Sequence, residues 1–203
     1  MLVCIHESED IPEDAARVAA LRKGVGDKIQ LMVDANQKFS LLQATELCKL
    51  VEPYNLTWFE EPVTHNDPRE MVVLRNRTKI PLAAGQAWEY AWECRQFMEG
   101  RGIDVAQFDV VIGGGFTEGI KVAHLAAAFD LPFATHGWPV INMHLIAASP
   151  TGYRVEFHAS QEELGKAIFV KPTSPKKGFV TVPNNPGLGL EINEDALKKY
   201  QDK

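Results

Sequence analysis

The sequence predicts an α/β fold, a (β/α) barrel of the TIM type, on three observations. Apolar runs of strand length alternate with helical patterns along the whole chain. Neighbouring parallel strands need a crossover between them, so this alternation indicates a parallel sheet. A polar residue then marks the end of each of six strands, namely Asp34, Glu60, Gln86, Asp109, His136 and Glu156, at intervals of 20–27 residues. A βα unit of a closed barrel takes about 25–30 residues, since eight of them make a domain of about 250. Finally, polar groups at successive strand ends converge on one mouth of a barrel, where such folds place their chemistry. An open doubly wound sheet would instead spread them along a line.

Taken in order, the first candidate strand is 2–6 (LVCIH). The helix PEDAARVAALRKGVGD follows, with Ala15, Val18, Ala19 and Leu21 at helical spacing. Strand 29–34 (IQLMVD) ends in Asp34, strand 56–60 (LTWFE) in Glu60, and strand 80–85 (IPLAAG) runs into Gln86. Strand 104–108 (DVAQF) stops before Asp109, and a helix with Ile120, Val122, Ala123, Leu125 and Ala126 on one face comes next. Strand 131–135 (LPFAT) stops before His136, and strand 153–157 (YRVEF) contains Glu156. Seven strands emerge, not eight, so the chain reads as a barrel without its first strand. Residues 1–185 are assigned to this partial barrel. Residues 186–203, PGLGLEIN followed by a short helix, are assigned to a pendant C-terminal extension.

Composition narrows the function classes. The chain has 203 residues, 45% hydrophobic and 24% charged, which allows one sizeable core. A net charge of -6 with no basic cluster disfavours a nucleic-acid partner. The apolar runs are too short and interrupted to span a membrane. Residues 1–20 alternate acidic and apolar groups and give no signal-peptide pattern. Cys4, Cys48 and Cys94 are odd in number and include no CxxC, which fits reduced thiols. The expectation is a cytoplasmic protein.

The strand-end residues suggest a chemistry. Asp34, Glu60 and an oxygen at position 86 suit a hard divalent cation such as Mg²⁺, which takes oxygen ligands and keeps positions open for substrate. A carboxylate substrate held there would have its enolate charge neutralised as the α-proton leaves. His136 beside Asp109 supplies a base, the aspartate fixing the imidazole tautomer. Each residue also has a structural reading on its own: strand-end Asp and Glu cap helices, and His136 could be a satisfied structural histidine. A ring of six at βα spacing is harder to explain that way.

The set LMVDANQ, WFEEP, IPLAAGQ, QFDVVIGGGFTEGIKVA, ATHG and YRVEF closely resembles the barrel of the enolase superfamily, mandelate racemase subgroup. The resemblance covers roughly residues 3–195. It implies that Asp34, Glu60 and position 86 are the Mg²⁺ ligands, that Asp109 and His136 form a His-Asp dyad, and that Glu156 hydrogen-bonds the substrate carboxylate. It places Asn36 at a substrate-contacting position, makes Gly113-Gly114-Gly115 a tight βα turn in place of a phosphate cradle, and lets Trp138 line the pocket. It also implies an N-terminal α+β capping domain and a first barrel strand, neither of which is found in this sequence.

Three departures matter. Gln86 stands where the family usually has Glu; an amide oxygen can ligate Mg²⁺ but adds no charge, and Glu89 is a fallback ligand. Cys4-Ile5-His6 stands where the family has Lys-x-Lys, so His6 becomes the candidate second acid-base group, while a one-residue slip would put Val3 and Ile5 there. Without the cap and first strand, two strand edges are left open, which predicts a homo-oligomer. The function expected is a Mg²⁺-dependent dehydratase of a sugar acid, catalysed by His136, Asp109, Glu156 and His6. The alternatives are a racemase or epimerase of a 2-hydroxy or sugar acid, which depends on His6, and a non-catalytic fragment that needs a partner to fold.

Overall fold

A computed structural model describes residues 1–5 and 10–199. Seven strands form one sheet, every neighbouring pair parallel, in sequence order. They are β1 (Leu2–Cys4), β2 (Met32–Asp34), β3 (Trp58–Glu60), β4 (Leu82–Ala84), β5 (Val105–Phe108), β6 (Phe133–Thr135) and β7 (Gly152–Val155). Between them run α1 (Ile11–Val25), α2 (Leu41–Val51), α3 (Pro68–Arg75), α4 (Ala91–Glu99), α5 (Gly115–Ala128) and α6 (Pro139–Ala148), and α7 (Ala159–Ile168) and α8 (Glu194–Leu197) follow. The sheet curls into a partial barrel whose two edges are β1 and β7. The strands are shorter than the apolar runs in the sequence, three or four residues each, because only the segments that pair directly lie flat in the sheet.

Local sequence chemistry starts the helices. Ser40 and Gln43 form a reciprocal capping box at α2, and Asp67 caps α3 ahead of Pro68. Buried Arg22 of α1 donates to the carbonyl oxygens of Gly26, Ile29, Tyr54 and Asn55 at 2.7–3.1 Å. One guanidinium thereby ties together the two loops that lead into β2 and β3.

Strand alternation separates two apolar layers. Val33, Phe59, Leu82, Ala84, Ala106, Phe108 and Phe133 face outward and pack against the helices in the main core. Full burial of one such Phe contributes about 1.5–3 kcal/mol. Met32, Trp58, Ala83, Val105 and Ala134 face the lumen in a second, smaller cluster. Residues two positions further along β2, β3 and β6 therefore point into the lumen as well, and these are Asp34, Glu60 and His136.

The same parity fixes the register at the amino end. Ile5 is buried in the main core, and Cys4, paired across β1–β2 with Asp34, lines the lumen. His6 lies outside the described residues. At the other end the chain returns to α7: the Val170 N–H donates to the Glu191 carbonyl and the Asn193 N–H to the Ile168 carbonyl.

Candidate active site

The carboxyl ends of the strands open into a cavity of about 1000 Å³ lined by Cys4, Asp34, Asn36, Glu60, Gln107, His136 and Glu156. Of the residues singled out in the sequence, Asp34, Asn36, Glu60, His136 and Glu156 thus meet in one space. Asp109 stands behind His136, Gln86 reaches the cavity through Asn36, and Trp138 turns elsewhere.

Two carboxylates sit deepest. Glu60 is fully buried, with Oε2 accepting from Trp58 Nε1 at 2.9 Å and Oε1 left without a hydrogen-bond partner. Burial, then the charge of Asp34, raises its pKa well above the usual carboxylate range. Burial likewise raises that of Asp34, against the pull of the Asn36 N–H, which donates to Asp34 Oδ1 at 2.8 Å. Burial outweighs these hydrogen bonds and, for Asp34, the pull of the His136 charge, so each holds its proton more strongly than an exposed acid does.

Gln86 is held at two points. Its N–H donates to Glu61 Oε1 at 3.2 Å, and its Nε2 donates to Asn36 Oδ1 at 3.2 Å, while its own Oε1 is buried without a partner. Glu61 is fully buried and also takes the Gly85 N–H at 2.7 Å and the Asn66 amide. Burial raises the Glu61 pKa, opposed by these hydrogen bonds. Gly85 is required here: at φ 133° a Cβ would fall 2.1 Å from the Gln107 carbonyl.

These residues fit a hard cation. Two unpartnered buried oxygens, Glu60 Oε1 and Gln86 Oε1, accompany Asp34, and leaving such atoms unpaired costs about 1–3 kcal/mol each. Among the described residues no three His, Cys, Asp or Glu side chains gather as a metal cluster, since the third candidate ligand is an amide. Glu89 is exposed, precedes α4 and does not line the cavity.

On the other wall His136 Nδ1 lies 3.3 Å from Oδ2 of fully buried Asp109. Burial works to lower the His136 pKa, but the Asp109 hydrogen bond and the charges of Glu156, Asp109 and Glu60 outweigh it, and the net shift is upward. Glu156 Oε2 accepts the Gly137 N–H at 2.6 Å. Cys4 Sγ, across the mouth, is 3.6 Å from Asn36 Nδ2, and burial followed by the Asp34 charge raises its pKa. Trp138 is in the left-handed region (φ 37°), its N–H bound to Gln161 Oε1 at 2.7 Å. Its ring lines a separate small apolar pocket with Pro139, Phe157 and Leu164. The glycine run is a packed turn, where a Cβ on Gly113 would strike the Phe108 ring at 2.4 Å.

Sequence reasoning missed Gln107, Glu61 and Asn142. Gln107 is buried and lines the cavity with Glu60. Its position two residues before Asp109 was the available signal, because alternation puts both on the lumen face. For Glu61 and Asn142 no spacing signal exists; their partners come from other elements.

The comparisons agree with this geometry. The model of the family described as enolase C-terminal domain-like matches residues 4–196. The D-galactarolactone cycloisomerase of Agrobacterium fabrum is 30% identical, the match taking in 94% of this chain and 54% of that protein. The D-gluconate dehydratase of Thermoproteus tenax is 32% identical, over 96% of this chain and 40% of its own length. Among solved structures, L-talarate dehydratase from Polaromonas sp. JS666, complexed with Mg and L-glucarate, superposes with a TM-score of 0.88 at 32% identity, covering 98% of this chain and 54% of that one. A Bradyrhizobium enolase complexed with magnesium and mandelic acid gives 0.91 at 31% identity, covering 100% and 54%. The chain spans about half the length of these relatives. It belongs to the enolase C-terminal domain-like family, within the mandelate racemase branch of the enolase superfamily.

Proposed function

We propose that this barrel serves a Mg²⁺-dependent hydro-lyase that dehydrates a sugar acid to a 2-keto-3-deoxy acid. The observation that carries the reading is half-buried His136, backed by fully buried Asp109, facing the same cavity as Asp34 and Glu60, with Glu60 Oε1 lacking a partner. Asp34, Glu60 and Gln86 Oε1 would hold the cation. When bound, it supplies positive charge against the negative charge that develops on a substrate carboxylate.

The protein's own residues handle the proton. Asp109 accepts from His136 Nδ1, which leaves Nε2 with a lone pair facing the cavity. Nε2 takes the proton from the α-carbon, and the same imidazolium then gives a proton to the β-hydroxyl, which leaves as water. The C–H electron pair becomes the C=C bond of an enol, and the enol tautomerises to the keto acid. Glu156, anchored by the Gly137 N–H, keeps one oxygen for the substrate carboxylate.

One histidine acting in turn as base and acid suffices for dehydration, whereas racemisation needs a second group on the opposite face, the role the sequence gives to His6. The dehydratases and cycloisomerases among the relatives support the sugar-acid class. The proposal extends to a cytoplasmic setting, consistent with three free cysteines, and to association with a second copy through the open edges at β1 and β7. No helix among the described residues is long and apolar enough to cross a membrane.

The test is a sugar-acid screen with Mg²⁺, reading 2-keto-3-deoxy product. Turnover by the protein and loss of at least about 10³-fold in His136→Asn is the expected result. Equal turnover by both would overturn the mechanism.

A further inference from the structure

We propose that Asn142 is the positioning residue of the His136–Asp109 pair, setting which imidazole nitrogen faces the substrate. Asn142 belongs to α6 and is fully buried. The two hydrogens of its Nδ2 reach three acceptors, Asp109 Oδ1 at 2.8 Å and the carbonyl oxygens of His136 and Gly137 at 3.0 Å each, so one hydrogen is shared. Its Oδ1 accepts the Val110 N–H at 3.1 Å. Three acceptors on one side and a backbone donor on the other allow a single orientation of this amide.

The consequence concerns both members of the pair. Asp109 Oδ1 receives Asn142 and the Val111 N–H, the latter at 2.8 Å, so Oδ2 is the oxygen left for His136. The carboxylate cannot rotate without breaking two hydrogen bonds. The same amide grips the backbone that carries the imidazole, just where Gly137 (φ 49°) and Trp138 (φ 37°) turn through the left-handed region. A left-handed Trp persists only where its surroundings hold it. Asn142 therefore links the orienting carboxylate to the backbone of the group it orients, from behind the cavity wall, to which α6 contributes the apolar Met143, Ile146 and Ala147. A residue that merely fills space in α6 would hold neither.

The inference rests on His136 as the proton-transfer group, and its test needs no turnover. Side-chain ¹⁵N spectra of His136 at a pH above its titration report the neutral tautomer. The expected result is Nδ1–H in the unaltered protein, with the ratio shifting toward Nε2–H by about 5- to 10-fold in Asn142→Ala, the factor set by weakening one charge-assisted hydrogen bond. In an Asp109→Asn background the Asn142→Ala change adds no further shift, because its influence runs through that carboxylate. Asn142→Asp keeps the shape and the acceptor for Val110, and replaces the alanine variant if circular dichroism shows the latter unfolded. An Nε2–H tautomer in the unaltered protein overturns the proposal, as does an unchanged ratio in a folded variant or an equal shift in both backgrounds. Absence of dehydration with the tautomer effect intact would sink the proposed function alone. Normal dehydration without the tautomer effect would sink the positioning role alone.

Discussion

Trp58 Nε1 donates to Glu60 Oε2 across 2.9 Å, two residues apart on the lumen face of one strand. The indole thus occupies one carboxylate oxygen and leaves Oε1 as the oxygen free for a cation. Groups that orient a metal ligand in this way typically contribute 10–100-fold to affinity. Trp58→Phe is expected to weaken Mg²⁺ binding by about that factor with the fold retained, as read by titration calorimetry. Unchanged affinity would mean that Glu60 is oriented by something else.

Gln86→Glu tests the amide at the third position. A third carboxylate adds charge to the ligand set and should tighten Mg²⁺ binding by about 10-fold. It also removes the Nε2–H that Asn36 Oδ1 accepts, so Asn36 must turn or lose a partner. No binding by either protein would mean that Asp34, Glu60 and position 86 do not converge on a cation.

Stability should fall as pH rises. Asp34, Glu60 and Glu61 have folded-state pKa values raised chiefly by burial. A group with a raised folded pKa contributes stability that is complete below its unfolded value, about 4 for a carboxylate, and is lost as pH climbs through the folded value. His136, also raised, has the same sign, starting from its ordinary value of about 6.5. The lowered groups Asp67, Glu118 and Glu162 are half-buried, and their contribution is lost only as pH falls through and below the ordinary carboxylate range. In EDTA, the protein should therefore melt higher at pH 5 than at pH 8, and saturating Mg²⁺ should shrink the gap. Equal melting temperatures in EDTA would show that these carboxylates are not held away from solvent and counter-charge.

Phe59 is fully buried between the sheet and the helices, whereas Leu42 on α2 is 75% exposed. Phe59→Ala should cost about 3–5 kcal/mol of unfolding free energy by urea titration, and Leu42→Ala less than about 0.5. Similar costs for the two would contradict the placement of the core outside the sheet.

Much of the site was legible because strand geometry has a period of two. Once Met32 and Asp34, Trp58 and Glu60, or Ala134 and His136 share a strand, they share a face, and parallel pairing sends every carboxyl end to one mouth. The need for glycine after β4 was not legible in the same way, since it comes from the φ of Gly85 and the Gln107 carbonyl beneath it. Trp138 was not legible as a residue that leaves the cavity. Its ring direction follows from two successive left-handed residues, held by a hydrogen bond donated by Asn142 and by those their own N–H groups donate to Glu156 and Gln161.

The sequence by itself determined the parallel order of the strands and the lumen-facing strand ends Asp34, Glu60 and His136, because these follow from periodicity and spacing along one chain, while its motifs carried the resemblance to the family. Only the tertiary structure decided that Asn36 grips the Gln86 amide, that Glu61 holds the β4 turn, and that Asn142 locks Asp109 to the backbone of His136. Those contacts join residues from 6 to 50 positions apart. Their hydrogen bonds form only after burial has brought unrelated elements together, so no local pattern records them.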